Sequence, residues 1–180
     1  HIQNVNQEII ADLHLLTAKP IIYVFNLDEE DLSNTEKQAE LRGLVAPSPA
    51  LFINARFEQD LNNLSDTEIT EMLEMYGVEE TGLAKLIQEA YKILGLQSYL
   101  TAGPKEVRAW TIKKGSSAPV AAGVIHTDFE RGFIAAQVVN YADLIASGSE
   151  IAAKNAGKVR TEGKDYIMQP NDVVEFRFNV

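Results

Sequence analysis

Between Pro20 and Asn26 the chain carries five consecutive apolar residues, Ile21-Ile22-Tyr23-Val24-Phe25. A run this short, rich in β-branched and aromatic side chains and without polar alternation, predicts a strand covered on both faces, as in a parallel sheet. Parallel strands need a crossover, and one is legible downstream. Ser33-Asn34-Thr35-Glu36 has the form of a capping box and predicts a helix from there to about Leu41. Gly43, Pro47 and Pro49 then break the chain, and Leu51-Phe52-Ile53 reads as a second short buried strand. Strand, helix and strand in that order define an α/β unit. Upstream, Val5, Ile9, Leu13 and Leu16 stand at helical spacing and predict a helix that Lys19 and Pro20 stop.

Local signals continue beyond the second strand. Ser65-Asp66-Thr67-Glu68 is a further capping box, opening a helix with Ile69, Met72, Leu73 and Tyr76. Thr81 opens another, with Leu83, Leu86, Ile87, Ala90, Tyr91 and Leu94 on one face and Gly95 placed to cap it. Past Gln97 the texture changes. Strands are expected at 107–112, 133–139 and 173–178, and short helices at 118–125, 141–146 and 150–156, with Pro119 in the first turn of one. Such mixing in a short stretch predicts a compact α+β fold. Charge divides at the same place: 17 acidic against 6 basic residues through Leu96, then 9 against 10. We therefore expect two domains, residues 1–96 and 97–180, the first repelling polyanions in bulk.

Composition removes several chemistries. There is no cysteine, which excludes disulfides, thiolate nucleophiles and thiolate zinc sites, and fits a reducing compartment. No apolar run approaches membrane-spanning length, so no membrane partner is expected, and the first residues lack a leader pattern. What remains is position. Ligands of open parallel sheets sit beyond the carboxyl ends of strands, where Asn26-Leu27-Asp28-Glu29 and Asn54-Ala55-Arg56 both fall. An asparagine amide can tie two such loops together while backbone N–H groups read a ligand edge, although polar loops after buried strands are also ordinary.

Tyr23 to Glu29, YVFNLDE, resembles the base-recognition motif of P-loop GTPases, with Leu27 in place of the usual lysine and Glu29 in place of the usual aspartate. Both departures resemble the Asn-x-x-Glu motif of the YchF (Obg-like) P-loop ATPases. Their chemistry agrees in part: aspartate accepts two hydrogen bonds from guanine, glutamate displaces that carboxylate, and the N1 acceptor of adenine repels it. Loss of guanine selectivity follows from the residues; a preference for ATP is what the resemblance implies. Farther on, Arg108 to Gly115, Ala121 to Glu130, Glu162 to Tyr166 and Phe176 to Val180 resemble the TGS domain of the same family.

The resemblance implies a remnant of a P-loop NTPase parallel sheet followed by a ubiquitin-like β-grasp TGS domain. It implies a cytoplasmic parent that binds ATP and Mg²⁺, hydrolyses ATP with residual GTPase activity, and associates with ribosomes. By carry-over, Asn26 supports the base loop, Leu27 and Glu29 approach the base, and Asn54, Ala55 and Arg56 form the second base-side loop. A phosphate cradle needs Gly-x-x-x-x-Gly-Lys-Ser/Thr. Here Gly157-Lys158 and Gly163-Lys164 lack both the following hydroxyl and the earlier glycine. Residues 1–180 are thus expected to be a carboxy-terminal portion, inactive alone, with no tightly bound cofactor and no catalytic residue. The alternative is a stand-alone TGS module docking RNA, protein or a small ligand without nucleotide chemistry.

Basic residues near an aromatic suit RNA. Lys105, Arg108, Lys113 and Lys114 surround Trp110 and are the expected RNA or ribosome contacts; Lys154, Lys158, Arg160 and Lys164 form a second group. His126, Asp128 and Glu130 could share a side only if extended, and with no further histidine nearby no metal site is expected.

Overall fold

The computed structural model describes residues 11–103 and 106–179, which fall into two compact units divided between Leu94 and Gly95. In the first, β1 (Tyr23–Asn26) pairs in parallel with β2 (Ala50–Ile53), with Tyr23 opposite Ala50 and Asn26 opposite Ile53. Between them run α1 (Glu29–Leu32) and α2 (Thr35–Val45). Asn34, rather than Ser33, caps α2 by accepting from the Lys37 N–H, and the helix passes through Gly43 before the chain turns extended at Ala46, ahead of Pro47.

Three helices follow: α3 (Ala55–Leu61), α4 (Asp66–Met75) and α5 (Gly82–Ile93). The expected box at Ser65 and Glu68 is complete in both directions, and its hydrogen bonds hold the Glu68 carboxyl below its ordinary value. Thr81 caps α5, and Gly95 follows its last turn with φ 63°.

Two expectations for this unit need correction. Leu13 and Leu16 do not share an α-helix; they lie in separate 3₁₀ turns, with the positive φ of His14 between them. Val5 and Ile9 lie outside the described residues. Nor is β1 covered on both faces: Tyr23 and Val24 are exposed. The reason is that β1 and β2 form a two-stranded sheet, and burial on both sides needs neighbours that a pair cannot supply. Leu61 and Gly82 alone are fully buried among the described residues of this unit; the rings of Phe25 and Phe52 stack 5.6 Å apart across the strand pair.

The second unit is built on a five-stranded sheet of order β4-β3-β7-β5-β6. Its strands are β3 (Leu96–Ala102), β4 (Val107–Lys113), β5 (Phe133–Asn140), β6 (Arg160–Glu162) and β7 (Asp172–Phe178). First and last strands lie parallel at the centre and the rest is antiparallel, a β-grasp arrangement. One face is covered by α6 (Ala118–Ile125) and α7 (Thr127–Arg131). Ala118, Ala121 and Ala122 have no accessible surface, so a helix with small side chains approaches the sheet closely. Against it pack Tyr99, Ile112, Phe133, Val138, Met168 and Val174. The other face carries a smaller cluster, Val139, Ala153 and Val173, beneath α8 (Tyr141–Ser147) and α9 (Glu150–Asn155).

Buried polar groups in this unit are paired. The Tyr99 hydroxyl donates to Ala121 O at 2.9 Å, and burial pushes that phenol far above its ordinary range. Asp172 accepts from the Tyr166 hydroxyl and the Gln169 N–H, each at 2.8 Å, tying the loop before β7 to its first residue. Burial, then the Asp172 carboxylate, push Tyr166 up to about 12.

Candidate functional site

Asn26 ends β1 and Asn54 follows β2, so register brings both asparagines to one edge of the parallel pair. Each has a capping or bridging role that fits its short amide. The Asn26 Oδ1 accepts from the Ala55 N–H at 2.9 Å, across 29 residues. Asn54 caps α3 through the Phe57 N–H at 2.9 Å, and the Leu27 N–H donates to Ile53 O at 2.8 Å. Two consecutive residues of the first segment thus bind the second, and the strand ends are fixed in register beyond the sheet itself.

Sequence reading treats both segments as loops, and in part this is wrong. Glu29 is the first residue of α1 behind Asp28 at its N-cap; Ala55 and Arg56 begin α3. The edge is therefore a ledge where two helix N-termini start; the Ala55 and Phe57 N–H groups of α3 are taken by Asn26 and Asn54, while the start of α1 has no side-chain cap and its N–H groups favour acceptor atoms of a ligand. Asn26, Asp28, Glu29, Ala55 and Arg56 are exposed, while Leu27 and Asn54 are half-buried. With Oδ1 of Asn26 engaged, its Nδ2 donor is unpartnered among the described residues and can face a ring nitrogen. Farther along α1, Asp31 pairs with Lys37 of α2, which raises the lysine above its ordinary value.

Behind the ledge lies a contact with no local sequence signal. The Glu58 carboxylate of α3 accepts from the N–H groups of Gly82 and Leu83, the latter at 3.2 Å, and so caps α5 from 24 residues away. Gly82 is there because a Cβ would meet Ile53 Cγ2 at 2.5 Å. The residue before Asn54 thus presses on the start of α5, and packing sets the height of the ledge.

Among the described residues of the second unit, Arg108 and Lys113 do not share a face of β4. Arg108 lies over the Trp110 ring, 4.1 Å from its centroid, and 4.0 Å from Glu106. Lys113 is five residues along the same strand, hence on the opposite face and about 17 Å away. Lys114 is exposed past the strand end, and Lys105 lies outside the described residues. In the second group, Lys158 pairs with Asp143 at 3.2 Å and Arg160 with Glu162 at 3.6 Å. His126 accepts from the Asp128 N–H and caps α7, so that stretch is helical rather than extended. Among the described residues no three His, Asp or Glu side chains gather as metal ligands.

Residues 96–179 match the family model YchF-GTPase_C, described as a protein of unknown function (DUF933). The chain is 49% identical over 179 residues to the ribosome-binding ATPase YchF of Bacillus subtilis, covering 97% of this chain and 49% of that protein. It is 46% identical to the protein of that name from Escherichia coli O157:H7, covering 95% and 48%. Among solved structures it resembles the YchF GTPase of Schizosaccharomyces pombe, with TM-score 0.81, 37% identity, and coverage of 97% and 48%. A GTP-binding protein from Pyrococcus horikoshii, 20% identical with TM-score 0.58, shares the fold. The chain spans about half the length of the curated relatives it matches.

Proposed function

The chain belongs to the YchF family, and we propose that it is the carboxy-terminal portion of a ribosome-binding ATPase, supplying base recognition and partner docking rather than bond cleavage. The observation that carries this reading is the double tie between the strand ends, Asn26 to Ala55 and Leu27 to Ile53. It makes a rigid ledge whose exposed Nδ2 amide and uncapped α1 N-terminus can meet a purine edge. In this reading Asn26, Leu27 and Glu29 face the base, and Asn54, Ala55 and Arg56 form its second wall.

ATP and Mg²⁺ belong to the parent. The residues present fit only the base, because neither Gly-Lys pair here has the hydroxyl or glycine spacing that phosphate and Mg²⁺ need. When bound, the metal would supply charge neutralisation at the phosphates, held by residues outside this portion. Exposed apolar side chains on the first unit support the same reading. Val24 of β1 is 41% exposed, and Leu83 and Ile87 of α5 are 59% and 51% exposed. They would be covered by further strands and helices of a P-loop nucleotide-binding domain in the longer protein. Residues 97–180 would be its TGS domain, docking the ribosome. A second reading, a stand-alone binding module, draws on the self-contained core of the second unit.

The base loop can be tested in a full-length protein carrying this chain. Restoring the guanine-type pattern with Leu27→Lys and Glu29→Asp is expected to shift the ratio of GTP to ATP affinity towards GTP by roughly tenfold or more, the worth of one or two hydrogen bonds to a charged acceptor. Nucleotide affinities from equilibrium titration check it. An unchanged ratio would remove the base-reading role.

A further inference from the structure

Through Leu96 the chain carries 17 acidic residues and only 6 basic ones, so carboxylates are plentiful for any cation there. Lys37 and Lys92 take them, at Asp31 and Glu89. Arg42 of α2 and Lys85 of α5 pair with no carboxylate among the described residues, yet both line one recess of about 370 Å³. Uncharged neighbours hold Arg42 in place. Its guanidinium lies over the Phe52 ring, 4.8 Å from the centroid, and its Nη2 donates to Gln38 Oε1 at 3.3 Å. Gln38 is fixed in turn, because its Nε2 donates to Leu32 O at 2.7 Å. Lys85 is half-buried at the same recess. Leu32, Phe52 and Val78 give it apolar walls, and Glu79, the acidic residue among its described lining, is exposed and pairs with neither cation.

We propose that this recess is an anion site, taking the phosphate group of a small phosphate monoester between Arg42 and Lys85. A guanidinium fork binds two oxygens in its own plane and leaves a third for the lysine ammonium. The two cations together therefore suit a tetrahedral phosphate better than a carboxylate, whose two oxygens the fork alone satisfies. Stacking on Phe52 and the Gln38 contact orient the fork beforehand, which lowers the cost of ordering it around a ligand. Apolar walls beside a half-buried lysine limit water and strengthen the charge contact. The volume suits a small molecule. No ledge residue lines the recess, so the proposal stands apart from the base-reading role and does not depend on it.

The probe is phenyl phosphate, titrated into the 180-residue chain, which has no Gly-x-x-x-x-Gly-Lys-Ser/Thr to compete for it. Backbone and arginine side-chain NMR shifts follow the binding. The expected result is a saturable response at Arg42, Phe52 and Val78, with residues 26–29 unmoved. Benzoate, the same ring carrying a carboxylate, should bind at least about fivefold more weakly. Arg42→Gln and Lys85→Gln, each checked for folding by circular dichroism, should weaken phenyl phosphate by roughly fivefold or more, and Arg42→Lys, which keeps the charge without the fork, should not restore it. Glu79→Gln should tighten binding by about twofold. Absence of saturable binding, equal affinity for benzoate, shifts centred on residues 26–29, or unchanged affinity in both glutamine variants of the cations would overturn the proposal.

Discussion

Tyr99→Ala is expected to lose about 3–5 kcal/mol of the stability of the carboxy-terminal unit, the usual cost of truncating a large buried aromatic. Against a typical domain stability of about 5–15 kcal/mol, that is enough to populate the unfolded unit near physiological temperature. Tyr99 has no accessible surface, meets Phe176 edge-on at 5.8 Å, and donates its hydroxyl to Ala121 O. It therefore joins β3, β7 and α6 at once. Tyr99→Phe keeps the ring and removes only the donor, so its expected cost is about 1 kcal/mol. Urea unfolding followed by Trp110 fluorescence distinguishes the two. Similar losses for both variants would mean that the hydroxyl, not the packing, carries the site.

Gly132→Ala is the second change with a large expected effect. A Cβ at Gly132 would stand 2.2 Å from the carbonyl oxygen of Asn179, backbone against backbone, and the same two residues share a hydrogen bond from Asn179 N–H to Gly132 O at 2.9 Å. Neither side can move without parting the last residues of β7 from β5. Its φ of −89° suits any residue, so sterics alone exclude alanine. The expected loss is about 2–3 kcal/mol, with amide exchange rising first at 176–179. Gly123→Ala is the internal control. Its Cβ would meet the carboxylate of Glu130, which can swing away, and the Glu130 Cβ at 3.2 Å, which must give by only a few tenths of an ångström, so the expected cost is about 1 kcal/mol, below that of Gly132→Ala.

What sequence alone could reveal follows the reach of each interaction. Helices α4, α5 and α6 are legible because Ser65 with Glu68, Thr81, and Pro119 act within one turn. Strand β3 is not. Its buried positions are Gln97 and Tyr99, while Leu96 and Leu100 are half-buried on the other face, Leu100 against the smaller cluster, so no apolar–polar alternation marks the strand. Gln97 can be buried only because it donates to Met168 O, 71 residues on. Strand β6 has three residues, too few for any period to register. At the ledge, two strand ends, each with an asparagine at or just past its last residue, are readable. The Glu58 carboxylate beneath Gly82 and Leu83 joins residues 24 and 25 apart and leaves no periodic trace. Arg108 and Lys113 are near in sequence yet fall on opposite faces of β4, an alternation that sequence proximity hides.

The central claim separates a base-facing ledge, present in these 180 residues, from the phosphate grip, supplied by the rest of a longer protein. Titrating ATP and GTP into residues 1–180 beside a full-length protein that contains them, with turnover followed in parallel, tests it most directly. The expected outcome is hydrolysis of ATP by the longer protein, and neither turnover nor tight binding by the shorter one. Turnover, or equally tight binding of ATP, by residues 1–180 alone would contradict the account.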